Sequence, residues 1–186
     1  MLDNLKADTR RLKEIKTKAF PWYVIESLLF ENGYQAVVLH RMAHACKRSG
    51  LPLLGPFLNR LSLFLTGADI APAAEIGPGL RISHGVGLVI GNGVRVGSRC
   101  LLMQNVTLGA PSQDKIGSMP TLGDDVVLGA GASVIGGVRV GDRVIIGINS
   151  VVFNDVPDDS KVLPTPSRVV PRSRQGEQPA DDGVEA

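Results

Sequence analysis

Three histidines occur in the 186 residues, at His40, His44 and His84, and His84 is the one whose setting suggests proton transfer. It stands in Ile82-Ser83-His84-Gly85, two residues beyond an inward aliphatic position of a repeat. Its ring is therefore predicted to project from a corner of the fold. Asp69 precedes it by fifteen residues, and in a coil of about 18 residues the two fall in adjacent layers on nearby faces. A carboxylate beside an imidazole fixes its tautomer and stabilises the imidazolium, as a general base acting on a hydroxyl requires. The bland alternative is a solvated histidine and a corner aspartate.

The element that must position them is a repeat. A medium-sized aliphatic residue returns every sixth position at Ile70, Ile76, Ile82, Leu88, Val94, Cys100 and Val106, and again at Leu122, Leu128, Val134, Val140, Ile146 and Val152. Neither an α-helix nor a flat sheet has this period. Hexads with Gly after the aliphatic residue, as at Gly77, Gly123, Gly129, Gly141 and Gly147, predict an all-β parallel β-helix with three hexads to a coil. Small residues two positions earlier, Ala68, Ala74 and Ala132, suit a narrow interior. Between Leu108 and Leu122 the hexads fail, so residues 109–120 are predicted to leave the coil as an excursion loop, the kind of segment that carries binding groups.

Residues 1–66 read as an α-helical N-terminal region. Its two apolar stretches, Trp22 to Phe30 and Leu51 to Leu65, flank the polar hinge Glu31-Asn32-Gly33. Both are too short to span a membrane. A helical cap over the β-helix is favoured over a membrane-surface anchor using Arg10, Arg11, Lys13, Lys16 and Lys18. Residues 67–170 form the β-helix domain, and the polar segment 171–186 is expected to be disordered. A net charge of +2 leaves no electrostatic case for nucleic acid. Cys46 and Cys100 are expected to be free thiols. The start of the chain lacks the pattern of a signal peptide, which points to the cytoplasm.

The runs Ala68 to Pro72, Ile82 to Gly85, Gln104 to Gly109, Leu128 to Ala132 and Pro166 to Val170, with the segment Gln35 to His44, resemble the serine acetyltransferase branch of the hexapeptide-repeat acyltransferases. The resemblance implies a left-handed coil, a homotrimer and an acetyl-CoA-dependent O-acetyltransferase that transfers directly, without an acyl-enzyme or a metal. Carried over residue by residue, His84 is the base and Asp69 orients it. Gly109, Ala110, Gly129, Ala130 and Gly131 would contact the pantetheine arm, and Lys161 and Arg168 the phosphates. A zinc enzyme of the same fold is excluded by ligand count, since the repeats hold one histidine.

At the acceptor site the chain departs from that family. Serine acetyltransferases carry an Asp before the base and an Arg-His pair in the loop. Here Ser83, Ser118 and Met119 occupy those positions, and each missing charge removes a charge-assisted hydrogen bond worth about 1.5–3 kcal/mol. With these neutral residues and the short helical region the chain looks closer to the short serine-acetyltransferase-like enzymes of exopolysaccharide and capsule assembly, a resemblance that implies a sugar or saccharide acceptor of the exopolysaccharide or colanic-acid type. The alternatives are L-serine O-acetylation for cysteine synthesis and a non-catalytic β-helix scaffold.

Overall fold

The computed structural model describes residues 2–14, 21–112 and 118–166. Four helices come first: α1 (Leu2–Lys13), α2 (Trp22–Phe30), α3 (Asn32–Arg48) and α4 (Leu54–Thr66). The hinge anticipated at Glu31-Asn32-Gly33 is the junction of α2 and α3, with Glu31 the single residue between them. Pro56 falls in the first turn of α4, where its missing N–H costs nothing. Gly67, at φ 74°, ends α4 in the left-handed region and turns the chain into the first strand.

Short strands follow: β1 (Asp69–Ile70), β2 (Glu75–Ile76), β3 (Arg81–Ile82), β4 (Val89–Ile90), β5 (Arg95–Val96), β6 (Leu101–Leu102) and β7 (Thr107–Gly109). The later strands are β8 (Thr121–Leu122), β9 (Val127–Leu128), β10 (Ser133–Ile135), β11 (Arg139–Val140), β12 (Ile145–Ile146), β13 (Val151–Val152) and β14 (Lys161–Val162). They form three parallel sheets, β1-β4-β7-β10-β13, β2-β5-β8-β11 and β3-β6-β9-β12-β14. Up to β13 every third strand is a neighbour, and β14 stacks on β12 after the isolated bridge Val140–Val156, so the chain winds as a three-sided parallel β-helix. One stacked core runs through it, including Ile70, Ile90, Leu108, Val134 and Val152 from the first sheet.

The repeat differs from the sequence expectation in phase. The inward strand residues of the second coil are Ile90, Val96 and Leu102, followed by Leu108 in the third, and not Leu88, Val94, Cys100 and Val106. Those four are also fully buried, at the position two before the strand residue that Ala68, Ala74 and Ala132 occupy elsewhere. The slip has one cause. Asp69 pairs with Val89, 20 residues on, whereas Val89 pairs with Thr107, 18 residues on. The two extra residues lie between β3 and β4, in the corner that carries His84.

The helices close the first coil. Ala36 and Val37 of α3 join the core of the β-helix. The Asp8 carboxylate on α1 accepts from Arg41 Nε at 2.9 Å and from the Leu80 amide at 2.9 Å. Arg41 also donates to the carbonyls of Ile76 at 2.5 Å and Gly77 at 2.6 Å. The pair is buried, and every charge in it is met by hydrogen bonds, the condition under which burying ions is tolerated. No helix among the described residues is long and apolar enough to cross a membrane. Cys46 and Cys100 are free, and burial pushes the Cys100 thiol up to about 11.

Candidate active site

Corners of the coil need left-handed residues, and His84 is one of them, at φ 57°. Such a conformation is uncommon outside glycine and asparagine, and here the corner is held from several sides. The Gly85 amide lies 3.4 Å from Asn32 Oδ1, the Gly87 amide donates to the Gly67 carbonyl at 2.9 Å, and the Asn105 amide donates to Val86 at 3.0 Å. Gly33, at the start of α3, packs so closely on Ile82 that an added Cβ would overlap the Ile82 carbonyl. The His84 side chain is exposed and lines a cleft of about 490 Å³ with Glu31, Arg81 and Ser83.

Asp69 sits half-buried on β1, beneath Val89 of β4. Its Oδ1 accepts from Asn59 Nδ2 on α4 at 3.0 Å. Among the described residues His84 makes no hydrogen bond to Asp69. What brings the two segments together is the backbone: a Cβ on Gly85 would lie 3.7 Å from that of Ala68.

Gly129, Ala130 and Gly131 turn the chain between β9 and β10, on the same edge of the prism as His84. Successive amides on this edge bond to the layer before, Asn105 to Val86, Gly131 to Gln104 and Asn149 to Ala130. The glycine turn therefore lies two layers from the His84 corner, about 10 Å along the edge. Gly109 and Ala110 lie on the next edge, and the Gly109 carbonyl accepts from Gly136 at 2.8 Å; of the excursion loop predicted over 109–120, residues 113–117 lie outside the described residues. Met119 packs on Gly91 and Gly93 on that edge, and Ser118 touches Gly137. Within one chain, Ser118 and Met119 are not part of the His84 cleft. Lys161 is exposed on β14 in the last coil. Arg168 and the tail 171–186 lie outside the described residues.

The third edge is zipped by charge. Arg99 pairs with Asp125 and Arg143 with Asp159, and the amides of Ser98, Asp124 and Asp142 each donate to the aspartate one coil on. These carboxylates are consumed by the scaffold.

The pattern of the bacterial transferase hexapeptide (six repeats) family matches residues 119–154. A serine acetyltransferase from Synechococcus elongatus is 45% identical over 157 residues, 84% of this chain and 64% of the relative. One from Helicobacter pylori is 38% identical over 174 residues, 94% of this chain and 100% of the relative. The chain belongs to the serine acetyltransferase family. It spans less than two thirds of the Synechococcus protein's length. Among solved structures, soybean serine acetyltransferase complexed with serine superposes with a TM-score of 0.79 at 32% identity, covering 90% of this chain and 68% of that one.

Kinship overturns the saccharide acceptor expected from Ser83, Ser118 and Met119, and the exopolysaccharide-type assignment with it. A short helical region does not mark a separate branch, because the Helicobacter serine acetyltransferase is matched over its whole length. Three neutral positions show which charges are missing there, and they say nothing of charges supplied by other elements. Asn59 and the cleft residues Glu31 and Arg81 escaped sequence reasoning. The signals were a lone amide in the apolar stretch Leu51–Leu65 and an acidic residue at the break between two helices.

Proposed function

We propose that this chain is an acetyl-CoA-dependent L-serine O-acetyltransferase, working in the cytoplasm as a trimer of left-handed coils. The observation that carries the proposal is 38–45% identity to proteins named serine acetyltransferase, one of them matched end to end. The exposed His84 beside a cleft agrees with it. His84 takes the proton of the serine hydroxyl as that oxygen attacks the thioester carbonyl. The new C–O bond forms, the C–S bond breaks, and the imidazolium returns the proton to the departing CoA thiolate. Asp69 supports the imidazolium, and holding both substrates in line supplies much of the rate.

The glycine-rich turn Gly129-Ala130-Gly131 suits the donor because its amides and small side chains let a pantetheine arm approach closely. Gly109, Ala110 and Lys161 are assigned to the same donor, as is Arg168. The sides of the prism support the trimer. The second sheet points Glu75, Arg95 and Arg139 outward, while the first and third present Val89, Val151 and Ile145, all at least 40% exposed in one chain. Packing two apolar sides in a cyclic arrangement would bury them and bring the loop edge of one copy to the His84 edge of the next. Release of free CoA from acetyl-CoA, followed with and without L-serine, tests the activity. A rate that serine does not raise refutes it.

A further inference from the structure

A second cleft, of about 860 Å³, is lined by the end of α3 and by β2 and β5 of the second sheet. His84 turns the corner between the third and first sheets, so this cleft lies across the prism from it, and no residue lines both clefts. It is also the side that the proposed trimer leaves in solvent. Three elements supply its polar groups: Asn4 from α1, His44, Lys47 and Arg48 from α3, and Glu75 with Arg95 from the sheet.

The charges of the cleft do not balance. Arg95 Nε lies 3.1 Å from Glu75 Oε2, an exposed pair of the kind that adds little stability and can be shared with a ligand. The side chains of Lys47 and Arg48 make no hydrogen bond or ion pair among the described residues. No carboxylate occurs in the sequence from Asn32 to Ala68 that could neutralise them locally. Nor are they needed to cap α3, because the carbonyls of Ala45, Cys46 and Lys47 already accept from the amides of Ser49, Leu51 and Gly50.

The acceptors of the cleft floor are occupied. The Ile76 carbonyl accepts from Arg41 and, at 3.4 Å, from Asn4, and the Gly77 carbonyl accepts from Arg41. His44 Nδ1 lies 3.0 Å from the Pro72 carbonyl, which can only accept, so Nδ1 carries a proton and Nε2 is the ring nitrogen left over. Buried Ile76, Val96 and Leu122 make the floor apolar. What the cleft lacks is an anion with oxygens for several donors.

We propose that this cleft binds the phosphate group of a small molecule, at a site separate from those of the acetyl donor and acceptor. Lys47 and Arg48 donate to the phosphate oxygens, and the Arg95 guanidinium joins them from the sheet. In a monohydrogen phosphate the P–OH group donates to His44 Nε2. Where the phosphate is an ester, its organic part lies on the apolar floor.

Titration calorimetry on the full-length protein tests the site with inorganic phosphate and with phenyl phosphate, each against sodium chloride at the same ionic strength. Both phosphates should bind saturably. Tighter binding of phenyl phosphate identifies an esterified metabolite as the occupant, and tighter binding of inorganic phosphate identifies the free ion. Arg48→Gln and Lys47→Gln should each weaken binding by roughly 10-fold, the loss of one charge-assisted hydrogen bond. Both side chains are exposed, so the denaturant midpoint, and the rate of CoA release without phosphate, should stay as in the wild type. Phosphate held at the donor site on the His84 edge would be insensitive to both substitutions. That insensitivity overturns the proposal, as does heat that sodium chloride reproduces or the absence of saturable binding.

Discussion

Asn59 on α4 holds Asp69 on β1: its Nδ2 lies 3.0 Å from Asp69 Oδ1, while its own Oδ1 is buried with no partner. An amide half satisfied in the interior carries a cost, and the bond it does make fixes one oxygen of the carboxylate assigned to orient His84. In the proposed mechanism the second oxygen is the one that would meet the imidazole, and the helical region would then support the chemistry as well as cover the first coil.

Replacing His84 with Ala should lower kcat by roughly 10²–10⁴ with little change in the KM for acetyl-CoA, because the base is lost and the donor site is not. Asp69→Asn should cost less, since the imidazole remains while its cationic form loses support. Asn59→Ala should cost less again and shift the pH profile of kcat/KM in the direction Asp69→Asn shifts it. Steady-state kinetics across pH on the three proteins check the order. Full activity in His84→Ala would remove the base from the mechanism.

Gly33→Ala should be among the most damaging single-methyl additions in the chain. The new Cβ would overlap the backbone carbonyl of Ile82, and backbone cannot swing aside as a flexible side chain can. Separating α3 from β3 would also loosen the corner that presents His84. A destabilisation of about 2–4 kcal/mol is expected from overpacking of this kind, read as a lower denaturant midpoint. Loss of activity should accompany it.

The hexads, the helical region before them and the break at Leu108 were all legible because each is a periodicity or the loss of one. The phase slip after Ile82 was not, because both Leu88 and Ile90 are aliphatic and both point inward. Glycines could have resolved it. Ile90-Gly91, Val96-Gly97 and Leu108-Gly109 continue the aliphatic-Gly pairing seen at Ile76-Gly77, while Leu88 and Val94 are followed by Val and Arg. Reading them would have located the two-residue insertion at the His84 corner. Asn59, Glu31 and Arg81 were hidden for a different reason: their proximity to Asp69 or His84 depends on how the helices dock, and no local pattern encodes that.

Asp8 and Arg41 should behave as a unit. Asp8→Ala leaves a guanidinium buried beside carbonyl oxygens with no counter-charge, and a loss of about 3–5 kcal/mol is expected. Arg41→Ala should cost a similar amount, since it strips Asp8 of its cation and the Ile76 and Gly77 carbonyls of their donors. The double variant should fall short of the sum of the two, because neither charge is then stranded. Chemical denaturation of the two singles and the double measures the coupling, and simple additivity would show that the pair is not energetically joined.

His40 predicts how stability responds to acid. It lies buried on α3 with Nδ1 unpartnered, and burial, reinforced by the Arg41 and His44 charges, lowers it to about 3, with a backbone hydrogen bond at Ile70 working the other way. Unfolded, a histidine takes up its proton near pH 6.5. Between those two values the unfolded chain binds the extra proton and the folded chain does not, so stability is full above about pH 6.5 and falls as the pH drops. From pH 7 to pH 5 the loss from this one residue is about 2 kcal/mol. His40→Gln retains a donor that cannot titrate, and its unfolding free energy should be flatter over that interval by the same amount. Equal slopes for His40→Gln and wild type between pH 7 and pH 5 would place the acid sensitivity elsewhere.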